Sequence, residues 1–154
     1  FYLQSRFNSG IRQFRPDIYH ESNYLAYRFD GPTVVTVHDL SHIRYPETHP
    51  KKRVEAMNKY LPPTIEDAAE IIVDSEFVKR EVVSHFGVDP AKVHAIHLGV
   101  GESYAPRTGK EIAPALARYG LAAKQYIFSV GTLEPRKNLI QAIDAYAGLP
   151  RAVR

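Results

Sequence analysis

The sequence predicts an α/β fold with a parallel sheet, and three features carry that expectation. Short runs rich in β-branched residues, such as "PTVVTVHDL" at 32–40, are apolar on both faces, which suits strands covered on both sides. Segments with apolar residues three and four apart lie between those runs. One run passes through a serine into a helical segment that stops at a glycine, a strand–turn–helix unit. Strands that alternate with helices need right-handed crossovers, and these lay the strands parallel.

Taken in order, "DIYHES" at 17–22 and "PTVVTVHDL" at 32–40 read as strands. From Lys51 to Ala69 the apolar residues Val54, Met57, Leu61, Ile65 and Ala68 recur at helical spacing. Pro62 and Pro63 interrupt that pattern, so two helical pieces or one kinked helix are expected. Glu70–Asp74 is a strand, and Ser75 caps a helix that runs to about Phe86 before Gly87 and Pro90 stop it. "KVHAIHLGV" is a further strand, and the Gly, Pro and polar residues of "GESYAPRTGKEIAP" read as a linker, with a domain boundary near 100–109. A short helix around Ala113–Tyr119, a strand over Gln125–Gly131 and a helix over Asn138–Gly148 complete the chain.

The bulk numbers bound the function. With 154 residues, 44% of them hydrophobic and 24% charged, the composition is that of a folded globular protein. The excess of 20 Lys and Arg over 17 Asp and Glu is scattered, which argues against a nucleic-acid partner. No stretch approaches the roughly 20 apolar residues of a membrane span, no signal peptide is visible, and there is no cysteine, so the expected setting is the cytoplasm. Met57 is the single methionine, so the chain reads as part of a longer product. The segment after the linker holds one expected strand and one clear helix, too little to bury a sheet face, and so reads as an incomplete second domain.

Two stretches carry candidate chemistry. In "VGTLEPRKNL" at 130–139, Gly131 ends an expected strand and a helix begins near Asn138. Ligands of open α/β sheets gather at carboxyl strand ends, helix amides attract anions, and Arg136 and Lys137 add full charges there. A phosphate or diphosphate fits that setting, while an Arg-Lys pair before a helix is also commonly a solvated turn. The second stretch is "TVVTVHDLSHIRYPETH", where His38 and Asp39 close a strand. A strand-end histidine serves as a base, a hydrogen-bond partner of a sugar hydroxyl or a metal ligand, or is satisfied by nearby backbone. His38 and His42 have a spacing that aligns ligands on a helix and not across a strand and loop, so no metal site is expected. His94 and His97 fall on opposite faces of their strand and are expected to be structural.

Three stretches in series, "HESNYLAYRFDGPTVVTVHDLSHIRYPETHP", "AAEIIVDSEFVKREVVSHFGVDPAKVHAIHLGV" and "YIFSVGTLEPRKNL", resemble the family 4 glycosyltransferases. The resemblance covers nearly the whole chain. It implies a GT-B architecture: two Rossmann-like domains, the first holding mainly the acceptor and the second the nucleotide-sugar. On that basis residues 1–100 are the latter part of the acceptor domain, 101–120 the linker with a short helix, and 121–154 the start of the donor domain.

The resemblance implies a retaining transferase that moves a hexose, mannose among the candidates, from a nucleotide diphosphate sugar to a glycan or lipid-linked acceptor. No metal or other cofactor is implied. His38 matches the strand-end histidine near the transferred sugar, Gly131 the glycine beneath the donor diphosphate, and Lys137 the cation that clamps it, with Arg136 as a second cation. Thr132 replaces the arginine many relatives carry after the glycine, and Gly99-Val100-Gly101-Glu102 replaces a common Gly-Val-Asp. The family's glycine-rich loop and Glu-x7-Glu motif are expected outside 1–154; the Glu47 and Glu55 spacing is a chance match around Pro50. The chain alone is therefore expected to be inactive and open to self-association, and the complete protein to be cytoplasmic with access to the inner membrane face. A nucleotide-sugar epimerase or hydrolase of the same fold, and a non-catalytic assembly module, stand as alternatives.

Overall fold

The computed structural model describes residues 2–150, and it divides after Gly99 into two compact units. The first opens with helix α1 (Tyr2–Phe14), a segment for which the sequence raised no expectation. Four strands follow among the described residues: β1 (Tyr19–Glu21), β2 (Thr33–Val37), β3 (Glu70–Val73) and β4 (Val93–Ala95). They form one parallel sheet in the order β1-β2-β3-β4. This is the Rossmann-like α/β arrangement the sequence predicts.

Between β2 and β3 lie the short helix α2 (Ser41–Arg44) and the long helix α3 (Lys51–Asp67); α4 (Glu76–Phe86) joins β3 to β4. Because the strands follow chain order, two right-handed crossovers in succession set their helices on one face of the sheet. The burial reflects this. Val35, Ile71 and Val93 stand side by side in register, with Val37 and Val73 in the next row, and all five are fully buried. Met57, Leu61 and Ile65 of α3 and Val78 and Val82 of α4 join them in the core. On the opposite face Thr36 is buried while Val34 and Ile72 are half-buried, so the strands are less symmetrically buried than their apolar sequences imply.

Helix α3 is continuous through Pro62 and Pro63, where the sequence led us to expect a break or kink. Both prolines are exposed, so the carbonyls they leave without an amide partner face water. Thr64 Oγ1 also donates to the Tyr60 carbonyl at 2.8 Å, inside the affected turn. The apolar face at Met57, Leu61 and Ile65 is left undisturbed, and tertiary packing outweighs local propensity. Ser75 caps α4 by accepting from the Val78 amide at 3.3 Å, and Gly87 closes it in the left-handed conformation at φ 66°. The strand expected over "KVHAIHLGV" pairs only at Val93–Ala95, because its partner β3 is four residues long. The amide of Ile96 bonding to the Val73 carbonyl at 2.8 Å is the last rung.

The second unit contains α5 (Gly109–Ala117) and α6 (Leu139–Ala147). Helix α5 starts four residues before the expected Ala113 because Thr108 and Glu111 form a reciprocal capping box within the segment that reads as linker. The strand expected over Gln125–Gly131 does not form. A strand is held by ladder bonds to a neighbour, and among the described residues this unit offers none. Its apolar side chains stay in solvent, with Ile127 75%, Phe128 78% and Val130 85% exposed.

Candidate functional site

Parallel strands end together, so the residues after each strand gather at one edge of the sheet. Here those residues are Ser22 after β1, His38 after β2 and Asp74 after β3. The register pairs Val37 with Val73, which makes His38 and Asp74 neighbours. His38 Nδ1 lies 3.0 Å from Asp74 Oδ2 and 3.2 Å from Oδ1, while Nε2 lies 3.0 Å from the Ser22 carbonyl oxygen. The ring of Tyr24 meets the His38 ring edge-on at 5.7 Å.

Tyr24 ties this edge together. It is buried, takes the left-handed conformation at φ 70°, and its Oη accepts the Asp39 amide at 3.1 Å. A non-glycine residue in that region is held there by its surroundings. Burial, with the nearby Asp39 charge, pushes its phenol up to about 12, so it stays protonated. Burial alone would also raise Asp39, but hydrogen bonds from the Ser41 hydroxyl at 2.7 Å and amide at 2.9 Å outweigh it and hold the carboxyl below its usual range. Ser41 Oγ in turn meets His49 Nε2 at 3.0 Å.

The histidines are dispersed in role. His38 faces the strand edge, and His49 supports Ser41. His42 is 4% exposed, with burial lowering its pKa, beside a cavity of about 370 Å³ between α2, α3 and α4. His94 pairs with Glu70 across β4 and β3 at 2.7 Å. Among the described residues no three His, Cys, Asp or Glu side chains converge as a metal site would need.

The anion-binding candidates lie in the second unit. Gly131 and Lys137 are both exposed and flank a turn that ends in a short 3₁₀ segment, Pro135–Lys137. Asn138, left-handed at φ 50°, separates that segment from α6, so Lys137 precedes the helix and does not open it. The side chain of Arg136 lies outside the described residues.

Sequence reasoning singled out His38 but not Asp74, Ser22 or Tyr24. The signal for Asp74 was present: it ends an expected strand next to the one that carries His38. What the sequence lacked was the pairing register that sets the two ends level.

The first unit coincides with a family match, since residues 1–103 match Glycosyltransferase Family 4. The chain is similar to O-antigen chain mannosyltransferase B of Escherichia coli, 36% identical over 146 residues, which is 94% of this chain and 38% of that protein. It is 31% identical over 123 residues to the serotype-specific mannosyltransferase WbdA of Escherichia coli, covering 77% of this chain and 15% of the other. A D-inositol 3-phosphate glycosyltransferase of Kineococcus radiotolerans is 27% identical over 130 residues, 82% of this chain and 29% of its own length. The chain thus spans 38% or less of each of these relatives. With the parallel sheet, a family match through the whole first unit and a relative 36% identical over 94% of this chain, the chain belongs to glycosyltransferase family 4.

Proposed function

We propose that this chain is part of a retaining hexosyltransferase that moves mannose from a nucleotide diphosphate mannose to a glycan or lipid-linked acceptor. One observation carries the reading: the similarity to a mannosyltransferase runs through 94% of the chain and includes the strand edge that holds His38. In this reading the complete protein has two Rossmann-like domains of GT-B type. Residues 1–100 belong to the acceptor side, 101–120 to the linker, and 121–154 begin the donor side.

His38 is the catalytic residue of the first domain, placed to hydrogen-bond the transferred sugar. Gly131 lets the backbone approach the donor diphosphate, and Lys137 with Arg136 opposes the charge that grows on the leaving nucleoside diphosphate. Fixed cations perform that task without a bound metal. No described helix is long and apolar enough to cross a membrane. A cytoplasmic protein that reaches a lipid-linked acceptor at the inner membrane face fits that observation.

The test is transfer of radiolabelled sugar by the complete protein, with nucleoside diphosphate mannose as donor and membrane glycolipid as acceptor. Labelled lipid is the expected product. Release of free or epimerised sugar, with no labelled acceptor, would replace the transferase reading with a hydrolase or epimerase. In the same protein Lys137→Ala is expected to weaken donor binding by about 1–3 kcal/mol, the scale of a lost charge-assisted hydrogen bond. Titration calorimetry reads this directly, and unchanged affinity removes Lys137 from the donor site.

Alone, the 154-residue chain lacks most of a donor pocket in this reading and is inactive. The exposed Phe128, Val130 and Leu133 of its second unit favour self-association, since apolar side chains in solvent gain by pairing. Light scattering after size exclusion should show a dimer or larger species at micromolar concentration. A strict monomer defeats that part of the proposal.

A further inference from the structure

We propose that Asp74 is a positioning residue for His38, turning the ring so that Nε2 is the nitrogen offered to a substrate hydroxyl. This deepens the transferase reading and rests on it. Both oxygens of the Asp74 carboxylate lie within 3.2 Å of Nδ1, and an ionised carboxylate only accepts, so Nδ1 is the donor. The Asp74 side chain is 23% exposed against 38% for His38, so the carboxylate is the more sheltered member of the pair. A half-buried carboxylate adds nothing to an apolar core and needs partners to offset its desolvation. His38 is one such partner, and the free amides at the start of α4 are near in sequence.

The other nitrogen is held differently. Nε2 meets the Ser22 carbonyl, a group that also only accepts. With Nδ1 committed to Asp74, Nε2 is the nitrogen left to meet a substrate hydroxyl that takes the place of the carbonyl. Ser22 sits two residues before Tyr24, whose hydroxyl is bonded to the Asp39 amide, so the loop that occupies Nε2 is anchored to the same turn that carries the histidine. The Nδ1 contact is to a part-buried carboxylate and the Nε2 contact to a neutral carbonyl on the exposed side of the ring, so the Nε2 contact is the weaker one and the one a substrate hydroxyl displaces.

The experiment is a double-mutant cycle in the complete protein, joined to side-chain ¹⁵N spectra of the 154-residue chain. Asp74→Ala is expected to lower kcat roughly 10-fold with donor KM within about twofold, in the range of coupling inside one hydrogen-bond network. Asp74→Asn retains an acceptor for Nδ1–H and is expected to lose less. Adding Asp74→Ala to His38→Ala should cost nothing further, and the spectra should show the Nδ1 proton lost or redistributed in Asp74→Ala.

If Asp74→Ala slows His38→Ala as much as it slows wild type, the carboxylate acts through α4 or overall stability, and the proposal fails. Asn being as damaging as Ala would also count against it, as would an Nδ1 signal indifferent to Asp74. If His38→Ala itself turns over normally while the spectra still show Asp74 on Nδ1, the transferase role of His38 is what has failed. The positioning role then falls with it, although the contact stands.

Discussion

Replacing His38 with alanine in the complete protein is expected to slow sugar transfer roughly 100-fold while donor affinity changes by no more than a few fold, as for a hydrogen-bonding group aimed at transition-state charge. The expectation comes from where the ring sits. It stands at the carboxyl edge of the sheet, held from the β3 side by Asp74 and from the β1 side by the Ser22 carbonyl. With Nδ1 held by Asp74 the ring keeps its orientation when substrate takes the place of the Ser22 carbonyl, and preorganised contacts of this kind count in the transition state more than in ground-state binding. Steady-state kinetics with saturating donor separate the two parameters. A variant that keeps its turnover would show that the imidazole only braces the strand ends.

The second large effect concerns stability. Ile71→Ala should destabilise the first unit by about 2–5 kcal/mol, the usual cost of emptying a fully buried aliphatic site. Ile71 lies on β3 between Val35 and Val93 in register, and all three are fully buried. Its neighbours are fixed by ladder bonds on both sides, so the space left cannot close by side-chain movement alone. Such a loss is a large fraction of the roughly 5–15 kcal/mol that holds a domain folded. Urea unfolding followed by circular dichroism gives the shift, and Ile71→Val, expected to lose about 0.5–1.5 kcal/mol, calibrates it. A loss below about 1 kcal/mol for alanine would mean that this sheet face is not tightly packed.

Much of the first unit is legible because its signals are local. Helix α3 announces its buried face through Met57, Leu61 and Ile65, and α4 announces both ends through Ser75 and Gly87. The prolines of α3 misled because their cost depends on which face they occupy, and that is decided by packing. Helix α1 has Leu3, Phe7 and Ile11 at helical spacing, so its signal was there to be read. Gln125–Gly131 shows the opposite failure. Its apolar run has the local character of a strand, but a strand exists only as part of a pair, and no partner lies among the described residues of that unit.

The candidate site divides the same way. His38 was visible because it closes a β-branched run at the sheet edge where ligands gather, next to Asp39, and matches the family's strand-end histidine. Asp74 and Ser22 matter only through their contacts with that ring, and those contacts join residues 36 and 16 positions apart in sequence. Gly131 and Lys137 were visible as a glycine turn followed by a cation, and the structure sets both in one exposed turn.

The strand order β1-β2-β3-β4 also has a consequence for synthesis. Among the described residues each strand bonds only to the one made just before it and the one made just after, so none of these pairings waits for a distant segment to arrive. As the chain leaves the ribosome, every new strand finds a ready edge to extend, and the helix preceding it has already been translated to cover the growing face. Domains generally fold as units during translation, the earlier part first, and short-range pairing closes loops at the least entropic cost. The first unit is thus built to take shape from its beginning toward its end, before α6 has been translated.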